Sequence, residues 1–226
     1  DYLACQQIKG DGNCYYRALM YGYIGEIVAK NDQASLHKLE GYLRELGQEI
    51  RSQEVLAAAN YIQYLLQGLE ENMDPKDLVK HLQCTINTDF NVDDGLVIAA
   101  RHWSAEYLLE NKDKKVRDFY PEHQVAFFGD NSIGDDYGSN FGYGSIENYC
   151  DQYMKQMTNY AEGPQITINP LGHKLGFNSV VSFLHDHGLE QQASKEDPSL
   201  PTIHLLFNTS HYDLLFKVSS NMYGAL

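Results

Sequence analysis

Helical and strand-like sequence patterns occupy different parts of this 226-residue chain. Between about residues 15 and 110, apolar residues recur every three or four positions, which is the spacing of an amphipathic helix. The strand-like runs are concentrated at the C-terminus, after residue 178. This segregation predicts an α+β fold in which a small C-terminal β-sheet packs against a large helical lobe.

The helical half contains recognisable helix starts. Asp74 followed by Pro75 is typical of an N-cap and the first residue of a helix. Asp93 and Asp94 precede another apolar-periodic segment and are expected to open it. The predicted helical segments are Tyr15–Ile27, Ala34–Gln53, Val55–Leu69, Pro75 to about Gln83, and Leu96–Glu110, and the lobe extends over about residues 34–117.

A long irregular segment separates this lobe from the strands. Residues 120–145 are rich in Gly, Asp, Asn and Tyr and lack a helical period, so we interpret them as a functional or variable insertion. Near the C-terminus, Thr202–Phe207 and His211–Val218 flank a short turn and predict a β-hairpin. The other predicted elements are a helix at Ile146–Met157, a short helix from Pro170 to about Gly176, a strand at Ser179–Leu184 and a polar loop at His185–Pro201, which places the sheet at about residues 177–218.

Composition excludes several classes of protein. Apolar residues make up 43% of the chain, enough for a buried core, and we expect residues 1–226 to form a single domain. The net charge of −14 argues against nucleic-acid binding, which depends on neutralising phosphates with cations. No apolar run reaches the roughly 20 residues of a membrane span. The widely separated cysteines favour free thiols in a reducing, cytoplasmic compartment.

Residues 9–18 have the features of a nucleophilic cysteine site. Gly10 and Gly12 allow a tight loop with exposed backbone N–H groups, and Cys14 follows at the first turn of a predicted helix. The positive end of that helix favours the thiolate, so we expect a lowered pKa for Cys14. The loop amides, with Gly12 and Asn13 at their centre, can receive a developing oxyanion. The loop lacks the third glycine of a dinucleotide site and the Gly-Lys-Ser/Thr of a phosphate loop.

A base for this cysteine is available in residues 210–216. Alternate residues of a strand share a face, so His211 and Asp213 are expected to point the same way. Asp213 can then bind one imidazole nitrogen and leave the other for a thiol, as in a Cys-His-acid triad. Taken separately, a cysteine at a helix start and a histidine on a strand are more often structural than catalytic, so neither fragment identifies an active site by itself.

Together, the two motifs resemble the ovarian-tumour (OTU) cysteine proteases, most closely the otubain branch of deubiquitinases. The resemblance rests on GDGNCYYRAL at residues 10–19 and LLFNTSHYDLLFK at residues 205–217, and it extends through Asp93–Leu109 and Ile146–Leu184. It implies a papain-like OTU fold. The implied activity is hydrolysis of isopeptide bonds at the C-terminal glycine of ubiquitin through an acyl-enzyme thioester, without a cofactor or a metal.

The resemblance also assigns roles to matching residues. It implies Cys14 as the nucleophile, His211 as general base and acid, and Asp213 as the carboxylate that orients His211. Asp11 is implied to shape the oxyanion loop, and the relative importance of Asp11 and Asp213 stays open. The implied partners are ubiquitin and polyubiquitin chains, and the resemblance permits ubiquitin-conjugating enzymes as well.

Two departures limit what the resemblance implies. Tyr15 replaces the usual Phe after the cysteine, which keeps an aromatic side chain. Residues 120–145 are longer than the corresponding otubain segment, near which the family holds the distal ubiquitin, so linkage preference cannot be transferred. That length also leaves room for the otubain-like proteases that some bacterial pathogens deliver into the host cytosol. The candidate substrate surface on this segment is Phe127, Phe128, Tyr137, Phe141 and Tyr143.

Other sites and functions stand as alternatives. The chain could hold ubiquitin or a ubiquitin-conjugating enzyme without turnover, or could act on another ubiquitin-like modifier. His185 and His187 lack further ligands at metal-binding spacing, and the acidic residues at 130–136 lack EF-hand spacing, so no metal site is predicted. The remaining cysteines have no acid-His pattern nearby and are expected to be structural; they are Cys5, Cys84 and Cys150.

Overall fold

The computed structural model describes residues 2–112, 145–155, 169–185, 188–193, 197–208 and 211–217. Residues 120–144, which are nearly all of the predicted insertion, lie outside these ranges, and so do the five aromatic residues interpreted as its substrate surface. The described residues form a group of helices and a five-stranded sheet, which is the α+β arrangement expected from the sequence.

The helical lobe follows the predicted periodicity. Its helices are α1 (Cys14–Ala29), α2 (Gln33–Glu49), α3 (Gln53–Glu70), α4 (Pro75–Thr88) and α5 (Phe90–Glu110). In α2 to α5 the N-cap side chain accepts a hydrogen bond from a first-turn amide, which satisfies a donor that has no partner within the helix. The prediction that Asp74 caps a helix beginning at Pro75 is confirmed.

The start of α5 differs from the prediction. Asp89 caps the helix by accepting from the amides of Asn91 and Val92. Asp93 lies one turn inside the helix and is 1% exposed. The prediction that Asp93 and Asp94 open the helix was wrong: an acidic residue before an apolar run is typical of a helix start, but the Asp93 carboxylate binds the buried guanidinium of Arg17 instead.

The sheet is mixed and has the strand order β1-β5-β4-β2-β3. Its strands are β1 (Tyr2–Gln6), β2 (Asn178–His185), β3 (Gly188–Ala193), β4 (Thr202–Asn208) and β5 (His211–Lys217). β2 and β4 are parallel, and the other neighbours are antiparallel. The hairpin predicted from the last two strands is confirmed, with Asn208 paired to His211.

Both edge strands were missed by the sequence patterns. β3 falls within the segment predicted to be a polar loop, and its sequence GLEQQA has no apolar alternation. β1 comes from the N-terminus and adds a strand to a sheet that was predicted at about residues 177–218, where the other four strands lie. An edge strand is held by backbone hydrogen bonds to one neighbour and does not need the apolar pattern by which strands are recognised.

Two short helical elements follow the lobe. α6 (Ile146–Tyr149) continues into one turn of π-helix at Cys150–Met154, so the helix predicted at Ile146–Met157 is shorter and less regular than expected. α7 (Pro170–Leu175) matches the prediction and ends at Gly176, whose φ of 84° is the left-handed conformation favoured by glycine. The π-helical turn and α7 both pack against α5.

Helix α1 lies directly on the sheet. A Cβ atom on Gly22 would come within 2.5 Å of Ile203 on β4 and 3.0 Å of Leu214 on β5, so the close approach requires a glycine. Buried side chains of α1 to α5 and of the sheet belong to one continuous core. The Tyr15 and Tyr212 rings meet edge to face at 5.1 Å, which places the N-terminal end of α1 against the start of β5. The single-domain assignment for residues 1–226 stays a prediction.

Among the described residues, no helix has the length and apolar character needed to cross a membrane.

The contact between α3 and α5 yields a stability test. A Cβ atom on Gly95 of α5 would overlap the backbone carbonyl of Glu54, which cannot move as a side chain can. We expect Gly95→Ala to lower the free energy of unfolding by about 1–3 kcal/mol or more. Gly41→Ala is the matched control: Gly41 lies on the exposed face of α2 with nothing within 4 Å, and alanine there should add about 0.5–1 kcal/mol. Urea unfolding measures both, and a stable Gly95→Ala variant would contradict the packing.

Candidate active site

Cys14 is the first residue of α1 and is 5% exposed. Its sulfur lies among backbone N–H groups, since the amides of Tyr212 and Tyr15 both favour the thiolate. Tyr212 follows His211 directly along β5. The thiol predicted to be a nucleophile and the histidine predicted to be its base are therefore brought to the same end of the sheet, although they lie near opposite ends of the chain.

The expectation of a lowered Cys14 pKa was wrong. Burial of the thiol is the largest influence and raises its pKa above the ordinary value for cysteine. The amides of Tyr212 and Tyr15 and the charge of Arg17 lower the pKa without reversing this, and the charge of Asp11 raises it further. The N-terminus of a helix favours negative charge on the sulfur, but desolvation of the buried sulfur opposes that charge more strongly. Burial therefore favours the neutral thiol of Cys14.

His211 and Asp213 lie on one face of β5, as the strand pattern predicted. The distance between His211 Nε2 and Asp213 Oδ1 is 3.0 Å. A carboxylate can only accept, so in the neutral imidazole Nε2 is the nitrogen that donates to Asp213 and Nδ1 is the one with the lone pair. Nδ1 faces the loop at residues 10–13, called the cysteine loop below, because a Cβ atom on Gly10 would lie 3.4 Å from Nδ1. Asp213 is itself held by the Ile8 amide, which donates to the same oxygen at 2.9 Å.

Asp11 is part of the loop rather than of the histidine pair. Within the described residues, its carboxylate accepts from Arg17 at 2.8 and 2.9 Å and from the Asn13 amide at 3.1 Å. Burial alone would raise the pKa of Asp11, but the hydrogen bonds and charge of Arg17, the Asn13 amide and the charge of Lys9 outweigh burial and lower it. The two aspartates therefore do different work: Asp213 binds His211, and Asp11 folds the loop.

The loop offers fewer oxyanion donors than expected. The Asn13 amide is occupied by Asp11, which removes it from the donor set. In the described parts of the chain, the amides of Gly12 and Cys14 have no protein acceptor. Gly12 has a φ of 81°, so a side chain there would be unfavourable and the loop requires a glycine. Gly12 and Cys14 are thus the amides that can receive an oxyanion.

Arg17 is a buried part of this site that the sequence analysis missed. Its side chain is fully buried between two carboxylates: Nη1 and Nη2 bind Asp11, and Nε donates to both oxygens of Asp93 at 2.8 and 2.9 Å. Tyr21 also donates to Asp93 at 3.2 Å. Periodicity treats a charged residue in a helix as exposed, and nothing in the sequence pairs Arg17 with an aspartate on α5. The GDGNCYYR motif was the available clue.

Arg101 is the second missed residue. It is 1% exposed, donates from Nη1 to Asn13 Oδ1 at 2.7 Å and from Nε to the Met154 carbonyl at 2.6 Å. It therefore links α5 and the π-helical turn to the residue directly before Cys14. Together, Arg17 and Arg101 contact the cysteine loop through two different side chains, Asp11 and Asn13.

The other cysteines lie apart from this site. Cys150 is buried, donates to the Ala105 carbonyl at 3.7 Å, and burial raises its pKa to about 12. Cys84 is exposed on α4, and Cys5 is exposed on β1, where partial burial and the charge of Asp213 raise its pKa. Among the described residues, no three His, Cys, Asp or Glu side chains are grouped to hold a metal. The structure does not describe the other candidate groups considered from the sequence, which are the side chain of His185 and residues 130–136, 187 and 210.

The buried ion network can be tested by stability. Arg17→Met should lower the free energy of unfolding by about 3–5 kcal/mol, because it leaves Asp93 buried without its cation. Arg44→Met is the matched control, since Arg44 is 38% exposed and pairs with Glu40 on the surface of α2. Its loss should stay below about 1 kcal/mol. Equal losses for the two variants in urea unfolding would contradict the network.

The protonation state of Cys14 can be tested by alkylation. Iodoacetamide reacts with the thiolate, so a raised pKa means that the rate keeps increasing with pH where a free thiol has already levelled off. We expect the midpoint for Cys14 to lie above the value of about 8.5 typical of free cysteine. The modified Cys14 peptide is quantified by mass spectrometry over a pH series. A midpoint below 7 would mean that a preformed thiolate exists.

Known proteins resemble this chain in sequence and in fold. The profile of the Peptidase C65 Otubain family matches residues 1–217. The chain is 24% identical to the OVARIAN TUMOR DOMAIN-containing deubiquitinating enzyme 1 of Arabidopsis thaliana, over 98% of this chain and 74% of that protein. It is 23% identical to the ubiquitin thioesterase OTUB2 of Homo sapiens, over 97% of this chain and 84% of that protein.

Solved structures share the fold. The OTUB1 chain in the h/ceOTUB1–ubiquitin aldehyde–UBCH5B~Ub structure superposes with a TM-score of 0.60 at 21% identity, covering 96% of this chain and 78% of that chain. A ceOTUB1 complex with ubiquitin aldehyde and UBC13~Ub gives the same TM-score at 20% identity, covering 96% and 80%. The fold is therefore the OTU fold, and the match to the family profile over almost the whole chain shows that this protein belongs to the Peptidase C65 otubain family.

Proposed function

We propose that this protein is a deubiquitinase that hydrolyses isopeptide bonds at the C-terminal glycine of ubiquitin. The observation that carries the proposal is the placement of a buried cysteine beside the strand on which His211 binds Asp213. Membership of the otubain family and the names of its relatives, a deubiquitinating enzyme and ubiquitin thioesterases, support ubiquitin as the substrate.

The reaction begins with a proton transfer, because burial favours the neutral thiol. His211 Nδ1 takes the proton from Cys14, and the imidazolium that forms is stabilised by Asp213 at Nε2. The thiolate attacks the carbonyl carbon of the ubiquitin C-terminal glycine. His211 then gives the proton to the departing lysine amine, which leaves a thioester on Cys14. Water, deprotonated by His211, hydrolyses the thioester and regenerates the thiol.

The amides of Gly12 and Cys14 act as the oxyanion donors in both steps. They have no acceptor among the residues that the structure describes, so they are available when negative charge develops on the carbonyl oxygen. Asp11 and Arg17 hold the loop in place before substrate arrives, which avoids a reorganisation during the reaction. The mechanism needs no metal or cofactor, since every proton and bond is handled by these side chains.

Charge supports a basic partner surface. The chain carries a net charge of −14, which attracts proteins whose recognised surface is basic and weakens that attraction as salt increases. Structures of OTUB1 with ubiquitin aldehyde and a UBC13~Ub or UBCH5B~Ub conjugate also suggest ubiquitin-charged conjugating enzymes as partners of this chain. Polyubiquitin chains are the substrates we expect in the cytosol.

Cleavage of a di-ubiquitin panel tests the proposal. We expect wild type to cleave at least one linkage, Cys14→Ala to cleave none, and the matched variant Cys84→Ala to behave as wild type, because Cys84 is exposed on α4. Asp213→Ala should lower kcat by about 10²- to 10⁴-fold, since His211 loses the group that orients it. Asp77→Ala, a change at an exposed site on α4, should leave kcat unchanged.

Two results would contradict this function. Undiminished cleavage by Cys14→Ala would exclude Cys14 as the nucleophile. Wild type that cleaves no linkage and forms no adduct with ubiquitin carrying a C-terminal electrophile would instead identify a module that binds ubiquitin without turnover. An adduct formed only with a different ubiquitin-like modifier would keep the chemistry and change the substrate.

A further inference from the structure

The N-terminus of α1 is capped differently from every other α-helix in the described parts of the chain. In α2 to α7 the side chain of the N-cap residue accepts a hydrogen bond from an amide two or three positions later. Asn13, the N-cap of α1, is a residue type that caps well, yet it makes no such bond. Its side chain is 3% exposed and is turned toward Arg101, which donates to its Oδ1 at 2.7 Å.

The backbone conformation of Asn13 is also unusual for an N-cap residue. Its φ of −112° and ψ of 7° lie in the bridge region, where many active-site residues are found. The N-caps of α3 and α4 have the extended backbone typical of this position, with ψ values of 121° and 122°. Two hydrogen bonds hold Asn13 away from that extended conformation. Arg101 binds its side chain, and Asp11 accepts from its backbone amide.

The amides that a cap would occupy are those next to the nucleophile. Cys14, Tyr15 and Tyr16 are the first three residues of α1, and a capping side chain accepts from the second or the third. The Tyr15 amide faces the Cys14 sulfur instead and favours its thiolate. A side chain at residue 13 that accepted from this second amide of the helix would compete with the sulfur for it.

We propose that Arg101 is a positioning residue that binds the Asn13 side chain, prevents it from capping α1, and thereby leaves the Tyr15 amide to the Cys14 sulfur. Arg101 touches none of the reacting atoms in this scheme. It acts through Asn13, and its second bond to the Met154 carbonyl fixes its position on the π-helical turn. The guanidinium fork allows two bonds in different directions, which a lysine cannot reproduce.

The matched pair Asn13→Ser and Asn13→Ala isolates the capping competition. Both variants lose the contact with Arg101, but only serine can cap the helix. We expect Asn13→Ser to have a kcat about 10- to 100-fold below that of Asn13→Ala, an unchanged KM, and a higher melting temperature, because the new cap stabilises α1 while it takes the Tyr15 amide from the Cys14 thiolate. A merely structural role for residue 13 would instead make the more stable variant the more active one.

A second measurement reads the sulfur directly. Alkylation of Cys14 by iodoacetamide at pH 8 should be slower in Asn13→Ser than in Asn13→Ala, since the thiolate loses the Tyr15 amide. The charged and titratable groups around the sulfur, which are Arg17 and Asp11 on its own loop and helix and His211 and Asp213 on β5, are the same in both variants. Rates that are equal within twofold, or a faster Asn13→Ser variant, would overturn the proposal.

The role of Arg101 is tested in two backgrounds. Arg101→Lys should slow alkylation of Cys14 in the wild-type background and have no further effect in Asn13→Ala, where there is no side chain left to withhold. Equal slowing in both backgrounds would mean a general packing role and would overturn the proposal. If Arg101→Lys fails to fold, the Asn13 pair still decides.

The kinetic part of this inference rests on the proposed deubiquitinase activity, and the alkylation part does not. The hydrolysis assay uses ubiquitin with a C-terminal fluorogenic amide, whereas alkylation needs no substrate. If the wild-type protein hydrolyses no substrate, the proposed function is contradicted, and the alkylation rates still test the role of Arg101. Active wild type with indistinguishable Asn13 variants would remove the inference alone.

Discussion

The buried guanidinium of Arg17 is the contact on which the rest of the site depends. It binds Asp11 in the cysteine loop with one edge and Asp93 in α5 with the other. Removing charges from water is costly, and such a network is tolerated only where each charge is paired and each donor is used. Because Arg17 itself lies on the first turn of α1, the loop, the nucleophile helix and α5 cannot move independently. Arg101, on the same helix as Asp93, contacts the loop at Asn13 and reinforces that arrangement.

The second constraint comes from the sheet. β5 carries His211 and Asp213 on one face, and β1 pairs with β5 just before the chain enters the cysteine loop. The Ile8 amide can therefore reach Asp213, and Gly10 can pass over the ring of His211. The same short stretch of chain thus fixes the orientation of Asp213 and His211 and leads into Cys14. Burial of Cys14 raises the pKa of its thiol and so favours the neutral form.

Local patterns predicted the elements whose stability depends on burying one face. The apolar spacing of α2 and α3, the Asp74-Pro75 start of α4 and the β4–β5 hairpin were found where expected. β1 and β3 were missed, since edge strands are held by backbone pairing that leaves little trace in the side chains. Asp93 precedes an apolar run, which is typical of a helix start, but its carboxylate binds a partner 76 positions away, and no local pattern indicates such a pair.

The sequence by itself determined the helical lobe, the candidate nucleophile at a helix start and the alternation that puts His211 and Asp213 on one face. These features follow from residue type and short-range geometry, which can be read from neighbouring positions in the sequence. Only the tertiary structure decided that Asp11 binds Arg17, that the Asn13 side chain is taken by Arg101, and that burial raises the pKa of the Cys14 thiol. Each of these depends on desolvation and on partners brought together from distant parts of the chain. The pKa of a thiol or a carboxyl group is set by those surroundings and not by the residue type alone.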